Sequence, residues 1–428
     1  MILLFLPFCT INSKLCGYNC WVAVPISETL ENGLTVAVEE QAWNPGVSMV
    51  LLVPVGAVND PHERQGSASM LETWLWKGAG KRDARAFADA LDALGVRRSS
   101  GAGVEYTTFA ASFLPESLAR VFELYADLVM RPLLPDEAFE SVRALALQEL
   151  AAVEDQPARK LMRRLRREVF ASPHGQPVEG VEEVLRSISA EDVYEEYRRR
   201  YGGRGSVLAL AGGIRAGEVL AAAREFFASW GGSTPQAVPV KLSPPHSFHE
   251  QQQTEQVQIG LFYKDVPPGH YDFYAARLAA EILSGGFSSR LFSEIREKRS
   301  LVYSVSATPG SLKGFGYLSA YASTMPERAA ETLNALRDEI ARLADGVSRE
   351  ELDRAKISTR SDLVLSGESS RARAVAMARD VYILGRPRSL EDVEAEVVDV
   401  TLERINLFLR NHPYDRPWTG TLGPVEVV

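Results

Sequence analysis

The sequence predicts an α+β fold: two homologous domains, each a mainly antiparallel sheet packed with helices. Three observations predict it: an internal repeat, alternating strands followed by clusters of helices, and one breaker-rich linker. Residues 104–140 (VEYTTFAASFLPESLARVFELYADLVMRPLLPDEAFE) and 315–351 (FGYLSAYASTMPERAAETLNALRDEIARLADGVSREE) follow one plan. Each runs as an alternating strand, Pro-Glu, an amphipathic helix, a polar turn and a second helix start. Pro115-Glu116 and Pro326-Glu327 set the offset at 211, close to half of 428 residues. A fixed offset of this kind marks repeated architecture.

The elements follow in order. The helix after Pro115 carries Leu118, Val121, Phe122, Tyr125, Leu128 and Val129 on one stripe. The helix after Pro326 repeats this with Ala329, Leu333, Leu336, Ile340 and Leu343, at the 3.6-residue period. Ser206–Ala211 reads as a buried strand running into Gly212-Gly213, with a helix over Glu218–Trp230. Residues 231–250 (GGSTPQAVPVKLSPPHSFHE) concentrate Gly, Pro and Ser, a linker signature. The expected division is an extension over 1–27, a first domain over 28–232, a linker over 233–251 and a second domain over 252–428. Alternating strands with clustered helices favour layered α+β domains over a doubly wound nucleotide fold.

Composition narrows the class. The chain is 46% hydrophobic and 24% charged, so it can bury more than one core. Its 47 basic against 56 acidic residues leave a charge of −9, which argues against a nucleic-acid partner. Cys9, Cys16 and Cys20 all precede residue 21, so no disulfide framework holds the body together. Met1–Phe8 (MILLFLPF) is apolar but has no basic start, and it is too short to span a bilayer. A cytoplasmic protein without stable membrane insertion is expected; export or anchoring through residues 1–20 is the alternative.

Two carboxylates draw attention. In residues 66–78 (GSASMLETWLWKG), a helical wheel puts Ser69, Glu72, Thr73 and Trp76 on one face. In residues 136–154, Glu149 is expected within the buried arc of Phe139, Val142, Ala146, Leu150 and Val153, with Gln148 pointing away. Carboxylates on apolar faces are costly unless paired or used.

These residues carry a resemblance. GSASMLETWLWKG resembles the G-x-A-H-F-L-E-H segment of the insulinase/pitrilysin-type zinc peptidases, the inverzincins, whose mark is H-x-x-E-H on a helix. The resemblance implies a zinc site of two histidines and a distal glutamate, with the inner glutamate as general base. Here Ser69 and Thr73 stand at the histidine positions and Glu72 at the base. Glu149, 76 residues beyond Thr73, stands at the distal ligand. Both imidazoles are missing. Catalytic zinc takes three protein ligands plus a water, and hydroxyls are poor ligands for it. No metal is therefore expected in this chain, and no zinc peptidase activity of the chain alone. A weak site for a hard cation is the alternative use of these oxygens.

The second half matches better. Residues 283–305 (LSGGFSSRLFSEIREKRSLVYSV) are similar to the family's C-terminal-domain segment. Gly285 and Gly286 break one helix, Ser288 or Ser289 is expected to cap the next, and a strand is expected to start over Leu301–Val305. The resemblance implies that Arg296 and Tyr303 reach a catalytic centre, binding substrate backbone and the tetrahedral oxyanion. A guanidinium and a phenol are directed donors suited to that charge. Read from the residues alone, Arg296 lies in a charged run and Tyr303 opens a strand, positions that solvent and packing also explain.

In family forms built of two chains, one subunit carries the metal and the other the arginine–tyrosine pair, and the two close like a clam shell. The resemblance therefore implies a non-catalytic subunit of a heteromeric zinc metallopeptidase. Its partner is a homologous zinc-bearing subunit and its ligand an unfolded peptide. A structural scaffold and a metal-free peptide-binding protein, homodimeric when isolated, remain as alternatives.

Smaller motifs carry less. Lys77–Lys81 (KGAGK) is no phosphate loop, because Leu75 stands where the first glycine belongs. His246, His249 and Glu250 fall in a Pro-Ser linker, and His174 reads as a loop residue. Trp74 and Trp76 are expected in the core or an interface.

Overall fold

The computed structural model describes residues 24–427. The three cysteines, the apolar start and the readings that depend on them lie outside the described residues.

Two sheets repeat one topology. The first runs Ile26–Thr29, Thr35–Glu40, Val207–Gly212, Val47–Val53, Thr107–Phe113, Arg97–Ala102. The second runs Ser304–Leu312, Phe315–Thr324, Val257–Asp265, Trp418–Gly423, Ser247–Gln251. Read in opposite directions, the orders match strand for strand, and the first sheet has one extra strand at its edge. Each sheet contains one parallel pair, Thr35–Glu40 with Val207–Gly212 and Ser247–Gln251 with Trp418–Gly423. The other pairings within the two sheets are antiparallel. The repeat read from the sequence is this duplication. Helices Leu118–Met130 and Ala329–Ala341 keep the offset of 211.

Three local expectations are corrected. Ile26 and Ser27, assigned to the extension, pair with Val38 and Ala37 in the first sheet. Ser247–Gln251, assigned to the linker, is an edge strand of the second sheet. There His249 bonds Thr421 and Gln251, His246 bonds Glu168, and Glu250 takes Lys160 and Arg164, so the three side chains do not converge. Finally, Val47–Val53 is buried at every residue instead of alternating, as is Val207–Gly212, where a buried strand was expected.

That last difference has a physical cause. Each sheet is covered on one face by its own half's helices and on the other by a helix from the opposite half. Helix Ser370–Leu384 lays Ala374, Met377, Ala378 and Val381 on Val50, Leu52, Val207 and Ala209 of the first sheet. Helix Pro157–Val169 answers by placing Leu165 and Val169, with Phe170 just beyond, against Phe262, Phe315 and Trp418 of the second. Strands buried on both faces need no polar alternation. The exchange also carries a charge: Arg373 meets Glu39 of the first sheet, with both side chains at least 95% buried. The Arg373 Nε donates to the Glu39 carboxylate at 2.9 and 3.1 Å, its Nη2 donates to the same carboxylate, and Gln41 adds a third donor at 2.8 Å.

Candidate functional site

Helix Ser67–Leu75 begins at Gly66, whose φ of 96° suits only a residue without a side chain. A buried carboxylate holds this end. Asp60 accepts from Gly66 N at 2.9 Å, Ala68 N at 3.2 Å and Ser67 Oγ at 2.7 Å, with Arg200 3.5 Å away. Burial pushes the Asp60 carboxyl up to about 7, against the pull of these donors. Arg200 also binds Glu196 at 2.6 Å, and Arg64 reaches Glu196 and Asp192. Sequence reading missed this anchor; an Asp a few residues before the helix was the available signal.

Met70, Leu71, Trp74 and Leu75 are buried, and Trp74 Nε1 donates to Pro135 O at 3.1 Å. Ser69, Glu72, Thr73 and Trp76 share the half-buried face, as the wheel predicted. Glu72 is fully engaged there. It accepts from Trp76 Nε1 at 3.1 Å, from Thr73 Oγ1 at 3.4 Å and from Ser100 Oγ on the neighbouring edge strand. Trp76 Nε1 also reaches Ser100 Oγ at 2.9 Å, and the Arg98 guanidinium lies 4.3 Å above the Trp76 ring. Trp76 is thus more than core packing.

Glu149 does not join them. The expected burial is wrong: its side chain is 58% exposed and sits 3.6 Å from Arg159. The buried stripe of helix Asp136–Glu154 is Phe139, Val142, Leu150 and Val153. Glu149 lies about 60° from its centre at 100° per residue. At that edge the following helix offers Arg159, and ion pairing to water-exposed Arg replaces packing.

In the second half, helix Phe273–Ser284 ends at Gly285, and Gly286 follows at φ 136°. Phe287 in the ensuing loop is 81% exposed. Phe292–Glu297 forms a π-helical turn without the expected serine side-chain cap, burying Ile295 while Leu291 packs just before it. The chain then reverses through Ser300 at φ 50°, with Leu301 N donating to Ile295 O. The reversal brings together residues seven apart: the Arg296 guanidinium stands 5.9 Å from the Tyr303 ring centre and 5.1 Å from that of Phe292. Tyr303 is 78% exposed. The strand begins at Ser304, slightly later than expected, so Tyr303 sits at its threshold with its N–H directed to Ser323 O.

A family model described as insulinase, peptidase family M16, matches residues 35–181; one described as peptidase M16 inactive domain matches 187–359. An uncharacterized zinc protease of Mycobacterium bovis is 30% identical over 409 residues, 94% of this chain and 93% of that protein. The chain belongs to the insulinase family, M16. A further relative, an uncharacterized zinc protease of Bacillus subtilis, is 25% identical and covers 88% of this chain and 93% of its own length. The fold recurs in a peptidase M16 inactive domain from Pseudomonas fluorescens, with TM-score 0.84, 22% identity and coverage of 94% and 98%. It recurs again in a protease from Helicobacter pylori, with TM-score 0.85, 20% identity and coverage of 94% and 100%.

The M16 zinc does not fit the residues present. Two hydroxyls replace the imidazoles, Glu72 is held by three donors, and Glu149 faces solvent beside Arg159. Among the described residues, no three His, Cys, Asp or Glu side chains converge as metal ligands. Nor is there a described helix long and apolar enough to cross a membrane.

Proposed function

We propose that this M16 chain is a non-catalytic peptide-binding subunit that lends Arg296 and Tyr303 to the zinc site of a homologous partner. The observation that carries this reading is the open placement of that pair. Arg296 and Tyr303 stand together on the surface, and Tyr303 opens a sheet edge over Ser304–Leu312. A free edge is a template for an extended chain, pairing main-chain groups without regard to sequence. The first sheet has its own edge strand, Arg97–Ala102, beside Glu72 through Ser100. Donors aimed at a carbonyl oxygen stabilise the negative charge that grows there during hydrolysis. The zinc and its activated water would come from the partner. Relatives whose names call them zinc proteases support that chemistry for the partner.

The test is a mixing experiment with a zinc-bearing M16 homologue and an unfolded peptide. Adding this chain should raise the rate of peptide hydrolysis, and Arg296→Ala with Tyr303→Phe should remove the gain. No gain on mixing, or a gain untouched by the substitutions, refutes the reading. Co-elution with the homologue but no rate gain would point to the scaffold alternative.

A further inference from the structure

Among the described residues, Arg277 and Arg379 form no ion pair with a carboxylate. Arg277 lies on helix Phe273–Ser284, which packs beside the edge strand Ser304–Leu312. Arg379 comes from helix Ser370–Leu384 of the exchange between halves and donates through Nη2 to Ser311 Oγ at 2.5 Å. Arg277 and Ser311 line one small pocket with Pro309, Gly310 and Tyr317. Its free volume of about 10 Å³ admits a single water-sized group, such as one oxygen of a ligand. Among the described residues, neither guanidinium is within ion-pair distance of a carboxylate. Asp265 also borders the pocket, but its oxygens are taken by Val266 N and the Tyr414 hydroxyl.

Holding two cations side by side costs free energy unless an anion joins them. Water reaches Arg277, yet the protein packed around it, and then the like charge of Arg379, pull its pKa below the usual arginine range against the smaller opposing pulls of Tyr274, Glu281 and Asp265. A planar guanidinium donates two N–H groups to the two oxygens of a carboxylate, and two of them beside a hydroxyl make a specific set of donors for it.

The strand explains what arrives there. Ser304–Leu312 offers its free edge from the Tyr303 end, but Pro309 has no N–H to donate. Main-chain pairing with a peptide therefore weakens at Pro309, and the pocket lies at that point. From Tyr303 to Ser311 is eight residues, about 26 Å of extended chain.

We propose that Arg277, Arg379 and Ser311 form a carboxylate-binding subsite for the peptide that pairs with the edge strand Ser304–Leu312. This rests on the peptide-binding reading above. The carboxylate is supplied by an acidic side chain or by the peptide's own C-terminus, roughly eight residues from the position facing Tyr303 at one residue per 3.3 Å.

The test uses the full chain and three labelled twelve-residue peptides of otherwise neutral sequence. One is amidated, one has a free C-terminus, and one is amidated with a single Asp. Fluorescence anisotropy at low salt should show at least tenfold tighter binding of one or both carboxylate peptides, and which of them gains identifies the source. Arg277→Met with Arg379→Met should erase that preference while leaving the amidated peptide's affinity within twofold. Equal binding of all three peptides by the unaltered chain overturns the subsite, as does a preference that survives the double substitution. If the chain binds none of them, the peptide-binding reading fails, and glutarate titrated by calorimetry decides the pocket alone. Heat of binding that the double substitution removes would support it; no heat would overturn it.

Discussion

The two halves share a strand order and differ in what their site-bearing segments leave open. On helix Ser67–Leu75 the polar face is closed: Glu72 has three donors and the helix start is tied to buried Asp60. At the turn Phe292–Glu297 the polar face is open: among the described residues the Arg296 guanidinium has no side-chain ion pair and lies over two aromatic rings, and Tyr303 stands mostly in water. A side chain whose hydrogen bonds are satisfied inside its own domain has little left for a substrate. An exposed donor held in place by its backbone keeps its bonding capacity for something else.

The largest effect concerns what joins the halves. Arg373→Ala strands the Glu39 carboxylate in the interface and should cost about 3–5 kcal/mol. Denaturant unfolding would measure it. Replacing both, Glu39→Leu with Arg373→Met, should recover most of that loss, because an apolar pair needs no counter-charge. If single and double variants lose equally, the ion pair does not set the register of the exchanged helix.

Next comes the anchor of the closed site. Asp60 has a folded pKa of about 7, well above the unfolded value, so the folded chain holds more protons between about pH 4 and 7. Stability from this group is present at low pH and is lost as pH rises through 7, by up to about 4 kcal/mol. Asp60→Asn should flatten that part of the stability–pH profile. A difference curve between the two proteins that is flat over the interval would show that Asp60 is ionised in the fold throughout.

Third is catalysis with a zinc-bearing partner. Arg296→Ala should cost on the order of 100-fold in the rate gained on mixing, the usual loss for one oxyanion donor. Glu72→Gln should change it less than about twofold, far below that oxyanion scale. Reversed sensitivities would relocate the working site to the first half.

Parts of this were legible in the sequence because they are local. The offset between Pro115 and Pro326 fixes the duplication, and helical phase alone puts Ser69, Glu72, Thr73 and Trp76 on one face. What could not be read depends on distant chain. The full burial of Val47–Val53 comes from helix Ser370–Leu384, more than three hundred residues later. The engagement of Glu72 depends on Ser100 across a strand, and the exposure of Glu149 on Arg159 from the next helix. Periodicity gives a residue's angle on its helix, not the neighbour that meets it there, and Glu149 sat at the stripe's margin where the neighbour decides.

The smallest effect tests the contrast most directly. Ser100→Ala removes one donor from half-buried Glu72 and should destabilise the chain by about 1 kcal/mol. Tyr303→Phe removes a hydroxyl from a side chain 78% exposed and should stay within about 0.5 kcal/mol of the parent. Thermal unfolding of the two variants under one condition resolves the difference. A closed site pays for losing an internal partner and an open one does not, so equal costs would mean that Glu72 and Tyr303 are alike in their bonding, and the division of labour between the halves would lose its physical basis.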